Sequence, residues 1–398
     1  MKDYAVPEHW DIEDDIRDLF DKDEEYTVFI SEEELSDITS RDLYGKIFEE
    51  SHIIHVFPKN INNYGIFLCT VEEQNPKDFI NAVSENGHLK FQLDGSDLPV
   101  ESYDLSRVLF SRNLGILDSG YMVQKHAIII GCGSVGSLVA LELARSGVGN
   151  FLLIDADIIE AHNICRHQCS ITEVGDTKVH ALSNRIRSIN PEACVETFAG
   201  ILEETPQEQV MSFIRPGETI FIGCGDNRAV DVYANRIAIW NQSPFISIGL
   251  WERAFAGEIF YWLPNRHMPC YECALGSGSN ISKRTLANHH VYSNEENLEA
   301  IRFEPGLSTD ISFVTLIGVK LALDILNINT ETYRPRLLND LQQYTLIATT
   351  SDPEIGGSVS EIFSYPLQVS RSLMVDFRNT ECNSNHCCKY EIACGANL

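Results

Sequence analysis

The sequence predicts an α/β fold, a doubly wound and mostly parallel Rossmann-like sheet, and three observations predict it. The first is the apolar run His126–Ile130, which reads as a strand buried on both faces. The second is the glycine loop Gly131-Cys-Gly133-Ser-Val-Gly136, which follows at once and opens an apolar helix through Ala144, closed by Ser146-Gly147. The third is the alternation beyond it. Strand Phe151–Ile154 ends at Asp155, a helix spans Thr177–Ile189, and a strand spans Cys194–Phe198. A helix at Thr205–Phe213, a strand at Thr219–Ile222, a helix at Ala229–Trp240 and a strand at Phe245–Gly249 complete it. Strands and helices taking turns place parallel strands side by side with helices on both faces.

Ahead of this region, residues 1–104 read as a small N-terminal α/β domain, and residues 105–398 as the main domain. Tyr26–Ile30 is strand-like, Ser31-Glu-Glu-Glu34 is a capping box that opens a helix, and His52–Phe57 is a short strand. Asn75-Pro76 starts a further helix that Asn86-Gly87 stops. This mixture is compatible with a winged-helix-like peptide-binding module, and a plain dimerisation or packing domain fits it equally well. Beyond the parallel region, Gly257–Trp262 is an antiparallel strand, Ser277–Glu299 a polar loop, and Ser312–Leu326 an apolar helix for the core or a dimer contact.

Charge narrows the partners. The formal net charge is -28, and residues 1–100 hold 24 Asp+Glu against 8 Lys+Arg, a net of -16. Such a surface repels nucleic acid and anionic lipid, so neither is expected as a partner. The start, Met1-Lys2-Asp3-Tyr4, leads into acidic sequence without an apolar signal region, and no run is long enough to span a membrane. A cytoplasmic protein is expected, in which the 12 cysteines are thiols or metal ligands rather than disulfides.

The chemistry is carried by residues at strand ends. Gly131 permits a tight turn, Gly133 lets the backbone approach phosphate, and Gly136 lets the helix pack closely. Phosphate sits well at such a helix N-terminus, and Asp155 is placed for ribose hydroxyls. These features fit NAD as well as ATP, so an NAD-dependent oxidoreductase stays open here. The following residues favour ATP: Asp157, Asn163, Arg166, Lys178 and, after Gly223-Cys-Gly225, Asp226 with Asn227. Arg and Lys neutralise charge developing at a phosphorus, and a carboxylate at Asp226 holds Mg²⁺. A surface charge or a helix cap explains any one of them; the ordered set is harder to explain that way.

With these residues in hand, the chain resembles the ubiquitin-activating-like superfamily typified by ThiF and MoeB, over roughly Arg107–Gly276 and the cysteine-rich tail. The matching stretches are GCGSVG, the strand ending in DAD, N-I-C-R-H-Q, G-D-T-K and G-C-G-D-N. The resemblance implies ATP- and Mg²⁺-dependent activation of a carboxylate as an acyl-adenylate. It assigns ribose to Asp155, phosphate contacts to Asn163, Arg166 and Lys178, and the metal-linked role to Asp226. Ser111-Arg112-Asn113 resembles the segment that lends an arginine to the partner subunit, which implies a homodimer.

Pro269-Cys270-Tyr-Glu-Cys273 is a CxxC knuckle suited to zinc. The resemblance closes the site with a second pair after an Arg-Asn turn. Cys382 fits that slot and Cys387, ahead of Cys388, is the fourth ligand, giving a structural site without an open position. No cysteine lies in Arg284–Arg302, and Cys132, Cys165, Cys169 and Cys224 read as packing residues, so no enzyme thioester is expected. His289-His290 reads as a solvated pair.

The layout, with about 100 residues before the arginine segment and no rhodanese-like extension, resembles the peptide-modifying branch of the microcin C maturation enzyme and the pantocin A biosynthetic enzyme PaaA. That implies a short ribosomally made precursor peptide as partner. A glutamate side chain or a C-terminal carboxylate would be activated, leading to cyclisation or crosslinking in antibiotic biosynthesis. The alternative is an activator of a ubiquitin-like or sulfur-carrier protein.

Overall fold

The computed structural model describes residues 26–73, 78, 80–264, 266, 268–275, 305–350, 352 and 369–371. The chain divides into two compact units, Met1–Arg112 and Asn113–Leu398. Among the described residues, no helix is long and apolar enough to cross a membrane.

The first unit is chiefly β. Its strands are β1 (Thr27–Ser31), β2 (Asp42–Phe48), β3 (Ile53–Val56), β4 (Ile66–Thr70), β5 (Asn81–Glu85), β6 (His88–Leu93), β7 (Ser96–Asp97) and β8 (Val100–Tyr103). They form a sheet in the order β4-β2-β3-β1-β8 and a separate meander β5-β6-β7. Alternating side chains of β1 and β3 (Val28, Ile30, Ile54, Val56) enter a core with Leu68, Phe91 and Tyr26. Ser31 caps helix α1 (Glu32–Ser36) by accepting the Glu34 N–H at 3.3 Å. Glu34 does not reciprocate, because its carboxylate accepts from Arg41 Nη2 at 2.6 Å and from the Lys59 N–H at 2.9 Å.

Two expectations are corrected here. The segment ending at Asn86-Gly87 is strand β5, not a helix, and Asn86-Gly87 is the hairpin turn into β6, with Glu85 paired to His88. Asn86 has φ 55 and Gly87 φ 82. Asn-Gly is the pair best able to hold two successive left-handed residues, the geometry whose twist matches the flanking strands. The winged-helix likeness also fails among the described residues: helices α1 and α2 (Leu105–Leu109) are each 5 residues long, too short for a helical core.

The second unit holds the predicted sheet. After helix α3 (Ser119–Met122) come β9 (His126–Ile130), α4 (Ser134–Arg145), β10 (Asn150–Ile154), α5 (Lys178–Ile189), β11 (Cys194–Phe198) and α6 (Gln207–Phe213). Then follow β12 (Thr219–Gly223), α7 (Arg228–Trp240), β13 (Phe245–Leu250), β14 (Ala256–Trp262), α8 (Tyr271–Leu275), α9 (Ser308–Leu326), β15 (Tyr344–Ala348) and β16 (Val369–Arg371). The order is β11-β10-β9-β12-β13-β14-β15-β16, parallel from β11 to β13 and antiparallel beyond.

Both faces are covered, which is why the strands read as unbroken apolar runs. Ile129, Phe151, Leu153 and Ile222 face one core with α4, α5 and α9; Ile128, Ile130, Leu152 and Phe221 face the other with α6 and α7. The apolar helix expected for a core or dimer contact is a core element, burying Val314, Val319, Leu321, Ala322 and Ile325. Near its C-terminal end, the fully buried Asp324 accepts hydrogen bonds from Tyr333 Oη at 2.6 Å and from the N–H groups of Arg336, Leu337 and Leu338 at 2.8, 2.6 and 2.9 Å.

Candidate functional site

The chain leaves β9 towards β10 on one side, and β12 lies on the other, so the strand order reverses between β9 and β12. In open α/β sheets, ligands bind outside the carboxyl ends of the strands at such a point. Two glycine loops meet there. Gly131 has φ 87, and a Cβ on it would sit 2.9 Å from the Gly225 N. A Cβ on Gly136 would fall 1.8 Å from the Gly131 carbonyl oxygen, so α4 packs directly on the loop. At Gly133 and Gly225 a Cβ would meet nothing within 4 Å. Gly133 is also the N-cap of the 12-residue α4 and gives it no side-chain cap. The loop thus presents an open face and an uncapped helix N-terminus, which favour an anion.

Asp155 stands at the end of β10 and secures this loop. Its Oδ2 accepts the Cys132 N–H at 2.6 Å, and its Oδ1 accepts the Asp157 N–H at 2.8 Å. Thr177 caps α5, whose first residue is Lys178. The Lys178 Nζ lies 2.7 Å from the exposed Asp157 carboxylate and 4.0 Å from Asp155. Gly131, Gly133, Gly136, Asp155, Asp157 and Lys178 are therefore brought together by fold geometry.

The N-I-C-R-H-Q segment follows along the loop. Asn163 Oδ1 accepts the Glu160 N–H at 2.9 Å, closing a reciprocal cap on the short turn Ala161–Asn163. Arg166 is half-buried, and its N–H donates to the Asn163 carbonyl at 3.0 Å. Sequence reading gave no role to His167, yet it is buried and its Nε2 lies 2.7 Å from the Cys132 carbonyl oxygen. Its place in the motif, between Arg166 and Gln168, was the available signal.

On the other side of the switch point, Asp226 is exposed after β12, and Asn227 caps α7 by accepting the Ala229 N–H at 2.9 Å. Arg112 is exposed in the turn Ser111–Asn113 and closes the first unit. Cys132, Cys169 and Cys224 are buried, and burial pushes their thiols up, Cys169 to about 12. Such thiols are protonated and suit packing rather than nucleophilic attack. Cys165 is exposed, its Sγ 3.3 Å from the His162 carbonyl oxygen.

A buried polar network that sequence reading missed lies beside Asp226. Arg228 pairs with the buried Glu258 at 2.5 Å, and Glu258 Oε2 also accepts from Trp251 Nε1 at 3.0 Å and Tyr344 Oη at 2.5 Å. Asp231 accepts from Ser247 Oγ at 2.6 Å, and a Cβ on Gly223 would fall 2.0 Å from Asp231 Oδ1, so that strand end must be glycine. Burial pushes the Asp231 carboxyl up to about 7, with the Glu258 charge adding and Ser247, Tyr271 and Arg228 opposing. Folding therefore takes up a proton between the ordinary 3.8 and about 7, and stability falls as pH rises through that window. Asp231→Asn, neutral throughout, should exceed the native protein in urea-unfolding stability at about pH 8, and the gain should shrink towards about pH 5. An equal difference at both would mean that Asp231 is ionised in the fold.

In the CxxC knuckle, Cys270 and Cys273 are buried with their sulfurs 3.6 Å apart. Two thiolates on one tetrahedral zinc are about 3.8 Å apart, so this pair fits one edge of such a site. The Tyr271 N–H donates to Asn235 Oδ1 at 2.8 Å, and Arg236 pairs with Glu272 at 2.9 Å, which dock the knuckle helix on α7. Cys382 and Cys387, like His289-His290, lie outside the described residues, and no group of 3 or more metal-ligating side chains occurs among the described ones.

The model of the ThiF family matches residues 111–354. Mus musculus ubiquitin-like modifier-activating enzyme 5 is 30% identical over 212 residues, covering 49% of this chain and 51% of that protein. The Oryza sativa subsp. japonica protein of the same name is 28% identical over 212 residues, covering 50% of each. The chain spans about half the length of the curated relatives it matches. Among solved structures, E. coli MccB with succinimide aligns at a TM-score of 0.47 and 19% identity, covering 66% of this chain and 68% of that one. PaaA aligns at 0.45 and 20%, covering 64% and 74%.

Proposed function

The chain belongs to the ThiF family, and we propose that it uses ATP and Mg²⁺ to adenylate a carboxylate on a ribosomally made precursor peptide. The carboxylate is a glutamate side chain or a terminal group, and attack of an amide or amine nitrogen on the acyl-adenylate, with loss of AMP and of the nitrogen's proton, closes a ring or crosslink. The observation that carries the reading is the meeting of the open glycine loop with Asp155, Lys178 and the Asp226 loop at the point where strand order reverses.

In this reading Gly131, Gly133 and Gly136 with the α4 N-terminus receive phosphate, and Asp155, Asp157, Asn163 and Asn227 line the nucleoside and its phosphates. Arg166, Lys178 and the partner subunit's copy of Arg112 offset the negative charge that builds as the substrate oxygen bonds to the α-phosphorus and pyrophosphate leaves. Asp226 would hold Mg²⁺, which when bound neutralises phosphate oxygens. Cys270 and Cys273 would hold a structural zinc with Cys382 and Cys387, which metal analysis of the purified protein tests: no zinc in folded protein removes that assignment.

Residues 1–104 would dock the precursor, their acidity suiting a basic peptide. The second reading, an activator of a ubiquitin-like protein, is favoured by the identity to ubiquitin-like modifier-activating enzyme 5. ATP–pyrophosphate exchange with Mg²⁺ separates the two. Exchange driven by short peptides encoded beside the gene supports the peptide reading. Exchange only with a small protein ending in Gly-Gly supports the second reading, and exchange with neither removes both.

A further inference from the structure

We infer that His167 is a positioning residue for the nucleotide loop, its neutral ring and the Asp155 carboxylate holding the Cys132 peptide from opposite ends. What the loop receives rests on the adenylation reading; the clamp itself rests on geometry. The Cys132 N–H donates to Asp155 Oδ2 at 2.6 Å, and the Cys132 carbonyl lies 2.7 Å from His167 Nε2. His167 Nδ1 accepts the Cys169 N–H at 3.0 Å. A ring nitrogen that accepts carries no proton, so the proton is on Nε2, which donates to the Cys132 carbonyl.

The consequence for the loop is direct. Gly131 is tethered through its N–H to the Ile154 carbonyl at 2.9 Å. Cys132 is fixed at both ends of its backbone, and Gly133, the next residue, faces open space. The loop carries glycine for close approach and so has little stiffness of its own. Fixing the Cys132 peptide supplies that stiffness, and it lowers the ordering cost of binding an anion at α4. The same segment lies along α4, since the Gln168 N–H donates to Ser137 Oγ at 3.4 Å.

The clamp needs a neutral ring. A protonated ring would turn a donor towards the Cys169 N–H and lose that bond. Burial is the largest influence against protonation; Lys178 on α5 adds to it, while the bond to the Cys132 carbonyl and the charges of Asp155 and Glu173 act the other way, and the net direction is downward. Both ring nitrogens are engaged with backbone, which fixes the ring in this orientation.

The test compares the native protein with His167→Ala and His167→Gln, whose amide N–H reaches to about the place of Nε2. Deuterium exchange over residues 131–137 is measured without nucleotide, and Mg·ATP affinity by calorimetry. His167→Ala should exchange about tenfold faster in that segment alone and bind ATP about tenfold more weakly. His167→Gln should recover most of both. Native affinity should fall as pH is lowered below the ordinary histidine range, and that of His167→Gln should fall less. Native-like exchange and affinity in His167→Ala, or faster exchange throughout the chain without rescue by glutamine, would overturn the inference. A native protein that binds no ATP overturns the adenylation reading instead, and the exchange data still decide the clamp.

Discussion

Asp226→Asn should lower ATP–pyrophosphate exchange by roughly 100- to 1,000-fold, the range seen when one preorganised charge-stabilising group is removed from a transition state. Asp226 is exposed, and its side chain makes no hydrogen bond among the described residues, so it does not hold the fold. Its neighbour does that work: Asn227 caps α7, and the variant leaves Asn227 in place. The melting temperature should therefore move by no more than about 2 °C. Asparagine keeps the shape but not the charge that a hard cation requires. Lys178→Ala should fall in the same direction by less, because the helix N-terminus and Arg166 remain to face the phosphates. Undiminished exchange in Asp226→Asn would remove the metal-linked role and the mechanism built on it.

The largest stability effect is expected at Asp324→Ala. That carboxylate is fully buried and gathers the Tyr333 hydroxyl with three successive backbone N–H groups, Arg336 to Leu338. It thereby ties the loop after α9 to the helix that covers the sheet. Truncation leaves four donors without that acceptor, two of them (Tyr333 Oη and the Leu338 N–H) buried, and a small void, a loss of about 3 kcal/mol in urea unfolding. Asp324→Asn retains one acceptor oxygen, brings an amide towards N–H groups, and should fall between the two. A loss under about 1 kcal/mol for the alanine variant would show that water takes over the loop's hydrogen bonds.

Much of the fold was legible because it is built from local signals. A strand covered on both faces reads as a continuous apolar run, and Ala127–Ile130 and Ile220–Ile222 declare themselves that way. Glycines at Gly131 and Gly136 are required by a left-handed φ and by a helix packed on a carbonyl, needs that leave a fixed spacing in the chain. The Asn86-Gly87 turn was equally local, but that pair stops helices and turns hairpins alike, and the preceding residues did not decide between them.

The candidate site residues divide along the same line. Asp155 and Lys178 were legible from their positions at a strand end and a helix start, and the fold brings them within 4.0 Å. Asn163 and Asn227 were legible as polar residues near strand ends, and in the structure their side-chain oxygens cap local turns, a role the sequence offered on equal terms. His167 and Cys132 stand 35 residues apart, and Arg228 and Glu258 30 apart, with nothing periodic between them.

By itself the sequence determined the parallel sheet, the glycine loop and which charged groups end at its carboxyl edge, since each follows from side-chain periodicity or from backbone conformations that few residues tolerate. Only the tertiary structure decided which of those groups touch. Partners such as His167 with Cys132, Asp231 with Gly223, and Asp324 with the loop after α9 meet because packed layers close around them, and that closure is a property of the whole chain rather than of any stretch of it.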